Sequence, residues 1–165
     1  MKKTFFILIL SLNCCFAFCQ TTIEAIVSKK YSISIIDSLY NGRKVLEEIY
    51  DNSTEDFFVC VIERIVDDYA LIRGQYTFDS SETIHGWILL EALVTYPSSF
   101  DTLCFYERPD YKANRITIDS PTWIPLKIKD INNDWVFVLY SENNLKCQGW
   151  VNKKMLCANP YTICN

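Results

Sequence analysis

The chain has 165 residues, of which 50% are hydrophobic and 15% aromatic, with only 4 glycines and a formal net charge of −4. That composition excludes a disordered tail or linker and describes a packed globular protein. The acidic balance, with no lysine and arginine stripe interleaved with aromatics, offers no footprint for a phosphate backbone and excludes nucleic acid as the expected partner.

Residues 1–19 read as a secretory signal peptide. Lys2 and Lys3 form its charged start, Phe5 to Leu12 its apolar core, and Ala17-Phe18-Cys19 a small-x-small cleavage site before Gln20. The apolar run is too short to span a bilayer as a finished helix. Cys14, Cys15 and Cys19 follow Asn13, Cys14 and Phe18 rather than the small residue that lipid modification prefers, so cleavage to a free Gln20 is expected over a lipoprotein. The mature chain is expected to be exported, periplasmic or extracellular, with no transmembrane segment. Losing the leader removes two lysines and no acid, which leaves 14 basic against 20 acidic residues and a charge of −6.

After the leader, Asn41-Gly42 is a dipeptide that readily takes the positive φ angles of a tight turn. It lies between Ile33/Ile35 and Val45/Glu47/Ile49, which predicts a hairpin; a helix over 43–50 is the rival reading. Phe57 to Val66 is rich in β-formers, Asp67-Asp68 is a turn signal, and Tyr69 to Ile72 resumes the apolar pattern, which predicts a second hairpin. The segment 79–86 reads as a polar loop. Trp87-Ile88 then starts a short strand that runs into a single helical turn over 90–93. Tyr96 to Asp101, with a proline and two serines, reads as a joint.

The same grammar follows a second time. A strand and proline turn open at Leu103, 124–140 reads as strand, polar turn, strand, and 147–156 closes with a strand and a helical turn. Laid over each other at an offset of 63, the two closing segments match Gly86 with Gly149, Trp87 with Trp150, Ile88 with Val151, Leu93 with Leu156 and Pro97 with Pro160. Asp68 to Ile72 corresponds in pattern to Asp134 to Val138 at an offset of 66, so the intervening loops differ by three residues. The chain therefore reads as two copies of one module, 20–97 with an N-terminal hairpin and 98–165. Short strands, polar turns and an aromatic in each closing strand point to small, strongly curved β-barrels that touch and share core.

Tyr106-Glu107-Arg108-Pro109-Asp110, the hairpin from Asp130 to Val138 and the closing run from Gly149 to Leu156 resemble the bacterial Src-homology-3-like (SH3b) domain. The resemblance covers 103–160 well and 45–97 more loosely, since Asp51-Asn52 replaces the proline turn and Tyr69 replaces the tryptophan in the first copy. The C-terminal segment 157–165 is similar to tails of exported proteins of Bacteroidetes-type bacteria. The resemblance implies a mostly β fold of two small Src-homology-3-like barrels in tandem. It also implies a stand-alone module that binds a peptide or cell-wall fragment, with no hydrolase attached.

The residues argue against catalysis. His85, the single histidine, is the one candidate base for a serine or cysteine nucleophile, and its counterpart in the second copy is Gln148. Asp67-Asp68 and Glu47-Glu48 are adjacent pairs, and neighbours on a strand point to opposite faces, so neither pair converges. No glycine-rich phosphate loop is present and no cofactor is called for.

The mature cysteines are Cys60, Cys104, Cys147, Cys157 and Cys164. Their spacing lacks a C-x-x-C pair, which favours structural cysteines over a metal site. Cys157 and Cys164 are placed to close a short loop as a disulfide, and the odd number leaves at least one thiol free or paired between chains.

For binding, flat and rigid aromatic side chains beside loops supply contact area at little entropic cost. Tyr106, Trp123, Trp135, Trp150 and Tyr161 are the candidates, with Asp110 as a polar contact. Trp87 and Trp150 have barrel filling as their competing role, and Tyr106 and Trp135 stand open between core and site. The expected function is an exported, non-catalytic protein that recognises a peptide or peptidoglycan element of the cell envelope. A structural or inhibitory, immunity-like protein that binds an envelope protein partner is the alternative.

Overall fold

A computed structural model describes residues 22–30, 32–48, 55–79, 81–143, 145–159 and 161. The predicted signal peptide, Gln20 and Cys164 lie outside these residues. None of the helices among them is long and apolar enough to cross a membrane.

The described chain is mostly β. Its strands are β1 (Ile23–Val27), β2 (Ile33–Ile36), β3 (Lys44–Glu48), β4 (Phe58–Val66), β5 (Tyr69–Tyr76) and β6 (Ile84–Leu89), followed by a 3-10 turn at Leu90–Ala92 and by β7 (Leu93–Pro97). Then come β8 (Thr102–Tyr106), β9 (Arg115–Asp119), β10 (Leu126–Asn132), β11 (Trp135–Glu142) and β12 (Leu145–Asn152), a second 3-10 turn at Lys153–Met155, and β13 (Leu156–Cys157). They form one open antiparallel sheet in the order β3-β2-β6-β5-β4-β1-β7-β10-β11-β12-β8-β9, with β13 paired to β7.

Both predicted hairpins are present. Lys44–Glu48 are strand where the rival reading placed a helix over 43–50, of which 49–50 lie outside the described residues, and Asn41 itself takes φ 58°. Two stretches depart from expectation. Ile84 to Gly86, read as polar loop, belong to β6 because Ile84 and Gly86 pair with Gly74 and Ile72 of β5. Tyr96-Pro97, read as part of a joint, ends a strand that pairs with β1, β10 and β13.

The repeat seen in the residues recurs in the pairing. β1 pairs with β4 and β7, and in the same way β7 pairs with β10 and β13; β2 pairs with β3 and β6, as β8 does with β9 and β12. The correspondence extends to register. Ile26 faces Val94 and Val27 faces Leu93, as Tyr96 faces Cys157 and Pro97 faces Leu156. The β4/β5 ladder shifts between Ile62 and Arg64, and the β10/β11 ladder shifts between Ile128 and Asp130. Each of these hairpins turns on a short polar residue in the left-handed region, Asp67 (φ 51°) and Asn133 (φ 52°), where Asp and Asn are tolerated. Each 3-10 turn is anchored alike, Leu90 N–H donating to Asp68 C=O and Lys153 N–H to Asp134 C=O, both at 2.8 Å.

One buried cluster runs through both halves, from Ile23, Ile33, Phe58 and Ile72 to Leu103, Phe105, Val138, Tyr140 and Val151. Alternation explains its membership: on β4, Phe58, Cys60 and Ile62 point inward while Val59 and Val61 stand half-buried between them.

Candidate functional site

β8 is covered on both faces, with Leu103 and Phe105 in the shared core and Cys104 and Tyr106 on the other side. There Cys104, Tyr106 and Trp135 form a second buried cluster against which Ala113, Trp150 and Met155 pack. Trp135 enters it because β11 starts directly after the left-handed turn at Asn133. The Tyr106 and Trp135 rings meet edge to face at 5.2 Å, a favoured aromatic geometry. Arg115 closes the side of the cluster, its Nη1 donating to Tyr106 Oη at 3.1 Å with the guanidinium 5.8 Å from the ring centre.

The rim is formed by Tyr111, which sequence reasoning did not single out. It is 61% exposed, yet its ring lies 4.7 Å from Trp135 and 5.9 Å from Tyr106. The turn that carries it is closely bonded. Glu107 N–H donates to Asn114 C=O at 3.0 Å, Ala113 N–H to Asp110 C=O at 3.0 Å, and Lys112 N–H to Asp110 Oδ1 at 2.9 Å. Asp110 thus holds the turn that presents Tyr111. The only sequence signal for Tyr111 was its place immediately after the Pro109-Asp110 turn.

The structure brings Tyr106, Trp135 and Trp150 together and puts Asp110 in the turn that carries Tyr111; the other two candidates lie elsewhere. Trp150 is half-buried and also packs on Phe137 at 5.5 Å. Trp123 packs at a tilt against Tyr96 at 4.9 Å, and its buried indole Nε1 has no hydrogen-bond partner among the described residues. Tyr161 reaches back to the first half, where its ring meets Phe57 at 5.5 Å and Phe78 at 5.8 Å and its hydroxyl donates to Glu55 C=O.

Beside Tyr161, Thr77 Oγ1 donates to Asp56 Oδ1 at 2.6 Å, and the same oxygen accepts from Phe57 N–H at 2.9 Å and Phe78 N–H at 3.1 Å. Burial raises the Asp56 pKa, but these hydrogen bonds together outweigh it and hold the carboxyl below its ordinary 3.8. A carboxylate with a depressed folded-state pKa stabilises the fold above its unfolded pKa and loses that contribution as pH falls through the folded value. Wild-type stability is therefore expected to drop as pH falls below about 4, with a shallower drop in Asp56→Ala. Urea midpoints measured across pH 2–6 check this, and identical slopes for both proteins would show that Asp56 is uninvolved.

Two clefts of similar size lie among the described residues. One of about 810 Å³ is lined by Cys60, Arg73, Gln75, Thr77, Phe78 and Tyr161 among others. The other, of about 880 Å³, includes Lys30, Glu91, Lys127, Tyr140, Glu142 and Cys147.

Among the titratable groups, His85 is exposed and its Nε2 lies 3.1 Å from Glu63 Oε2, while Arg73 Nε lies 3.8 Å from Glu63 Oε1. Cys60, Cys104 and Cys147 carry free thiols. Burial pushes the Cys60 thiol up to about 12 and raises that of Cys147, which keeps both protonated at neutral pH. Cys157 is disulfide-bonded, and its partner is outside the described residues, as is the predicted partner Cys164. Among the described residues no group of three or more His, Cys, Asp and Glu side chains is placed to hold a metal ion.

Compared with protein-family models, curated proteins and solved structures, the chain matches none.

Proposed function

We propose that this chain is an exported, non-catalytic binding protein, built as two small Src-homology-3-like barrels in tandem, that recognises a peptide or peptidoglycan fragment of the cell envelope. The recurring pairing pattern supports the tandem reading. β1 and β2 follow each other in the chain yet pair at opposite ends of the run β1-β4-β5-β6-β2, which is the connectivity of a sheet curling back on itself, and β7 and β8 repeat it. The Cys60 and Cys147 thiols, kept protonated by burial, support a non-catalytic role.

The observation that carries the binding reading is the Tyr111 ring, held out in solvent on a bonded turn and braced from behind by Trp135 and Tyr106. A rigid exposed aromatic on an ordered turn gives up little entropy when a ligand stacks on it. Tyr106 is 4% exposed and Trp135 8% exposed, so they act through the placement of Tyr111 and not by direct contact.

Co-sedimentation with purified peptidoglycan tests this. Wild-type protein is expected in the pellet, and Tyr111→Ala is expected to weaken retention about tenfold or more, as for an aromatic anchor. As an exposed side chain, Tyr111 can be replaced with little effect on stability, so the fold serves as the control by circular dichroism. Wild-type protein that stays in the supernatant would sink the wall-ligand reading and turn attention to an envelope protein partner.

A further inference from the structure

The two ends of the sheet are protected unequally. At one end, the β2/β3 ladder shifts register between Ile35 and Ile36, and β3 carries the Lys44–Glu47 ion pair; bulges and charges of this kind blunt an edge. At the other end, β9 pairs with β8 over all five residues, from Arg115 opposite Tyr106 to Asp119 opposite Thr102, without a shift. It contains no proline, and among the described residues nothing pairs with its outer edge.

The sequence of β9 is symmetric in chemistry. Arg115-Ile116-Thr117-Ile118-Asp119 has an apolar pair flanking a central threonine and opposite charges at its ends. Ile116 and Ile118 face Phe105 and Leu103 in the ladder, so both lie on the core side of the sheet. Ile118 packs against the core, but Ile116 is left 61% exposed at the edge.

We propose that β9 pairs antiparallel with β9 of a second copy, about a two-fold axis through Thr117. In that register Arg115 stands opposite Asp119 of the second copy at both ends, Ile116 opposite Ile118, and Thr117 opposite itself. All five cross-strand pairs are of the kinds that stabilise antiparallel ladders, and the outward N–H and C=O groups of the edge are satisfied. The Ile118 of the second copy covers the exposed Ile116. Because Tyr111 precedes β9 and the 52% exposed Phe100 lies beside its far end, where Ser120 N–H bonds Asp101 C=O, pairing also brings the Tyr111 end of one copy against the Phe100 end of the other. The interface is isologous and closes at two copies.

Sedimentation velocity over about 1–200 µM protein tests the proposal, with a monomer–dimer equilibrium expected for the wild type. Arg115→Glu and Asp119→Arg each put like charges opposite one another at both ends and are expected to weaken the dimer at least about tenfold. An equimolar mixture of the two variants restores both opposite-charge pairs, so the mixture is expected to dimerise where neither variant does alone. Asp119→Arg carries the test if Arg115→Glu disturbs the Tyr106 contact. A wild type that stays monomeric throughout, a dimer indifferent to Asp119→Arg, a mixture that fails to rescue, or open-ended chains from β9 docking on β3 would each overturn the pairing.

Discussion

Phe105→Ala is expected to lower the unfolding free energy by about 3–5 kcal/mol, a large part of what holds a domain of ordinary stability. Phe105, next to last in β8, is 2% exposed and meets the Tyr140 ring edge to face at 6.2 Å. Its removal leaves a void beside Tyr140 in the shared buried cluster, which the packed surroundings close only in part. Although the void lies in the second half, the buried cluster is continuous with Ile23, Phe58 and Ile72 of the first, and β7 pairs with strands from both halves. The loss is therefore expected to move a single urea transition with unchanged slope, coincident by far-ultraviolet circular dichroism and tryptophan fluorescence. Native-state hydrogen exchange gives the opposing result room to appear. If amides of β4 and β5 kept full protection while those of β11 and β12 lost theirs, the two halves would be independent units.

What the residues disclosed, and what they hid, follows the physics of each element. The offset of 63 between Gly86-Trp87 and Gly149-Trp150 was plain because both pairs sit where one closing strand crosses an opening one, a place with a narrow choice of residues. The hairpins at Asp67 and Asn133 showed themselves through turn residues suited to positive φ. β7 was hidden because Pro97 and two serines carry the local signal of a joint, whereas its strand pairing is supplied by β1, β10 and β13 from elsewhere in the chain. β9 was hidden because an edge strand with four exposed residues out of five shows no buried alternation. At the candidate site, the sequence leaves Tyr106 and Trp135 open between core and surface, and in the fold they line a cluster while scarcely touching solvent. The destination of Tyr161, on Phe57 and Phe78 of the first half, depends on a contact about a hundred residues distant, which no local pattern encodes.

Gly86→Ala and Gly149→Ala are the substitutions that test the repeat itself. Neither glycine has a positive φ, so the requirement for glycine is one of space. A Cβ at Gly86 would lie 2.6 Å from Ile36 O and 2.6 Å from Ile35 Cγ2; one at Gly149 would lie 2.9 Å from Tyr106 O and 3.0 Å from Phe105 Cβ. Ile36 and Tyr106 are the residues through which β2 joins β6 and β8 joins β12, paired with Trp87 and Trp150 respectively. Room for a methyl group is gained only by parting the strands at that crossing. Each change is expected to cost about 1–3 kcal/mol, as overpacking does, with Gly86→Ala the costlier because its backbone clash is closer. Gln148→Ala, exposed next to Gly149, serves as the control and is expected within about 0.5 kcal/mol of wild type. Denaturant unfolding of the three variants decides the matter. Alanine tolerated at one glycine and not at the other would mean that the two crossings, despite their matching register, are not packed alike, and the physical basis of the repeat would then lie in the tryptophans alone.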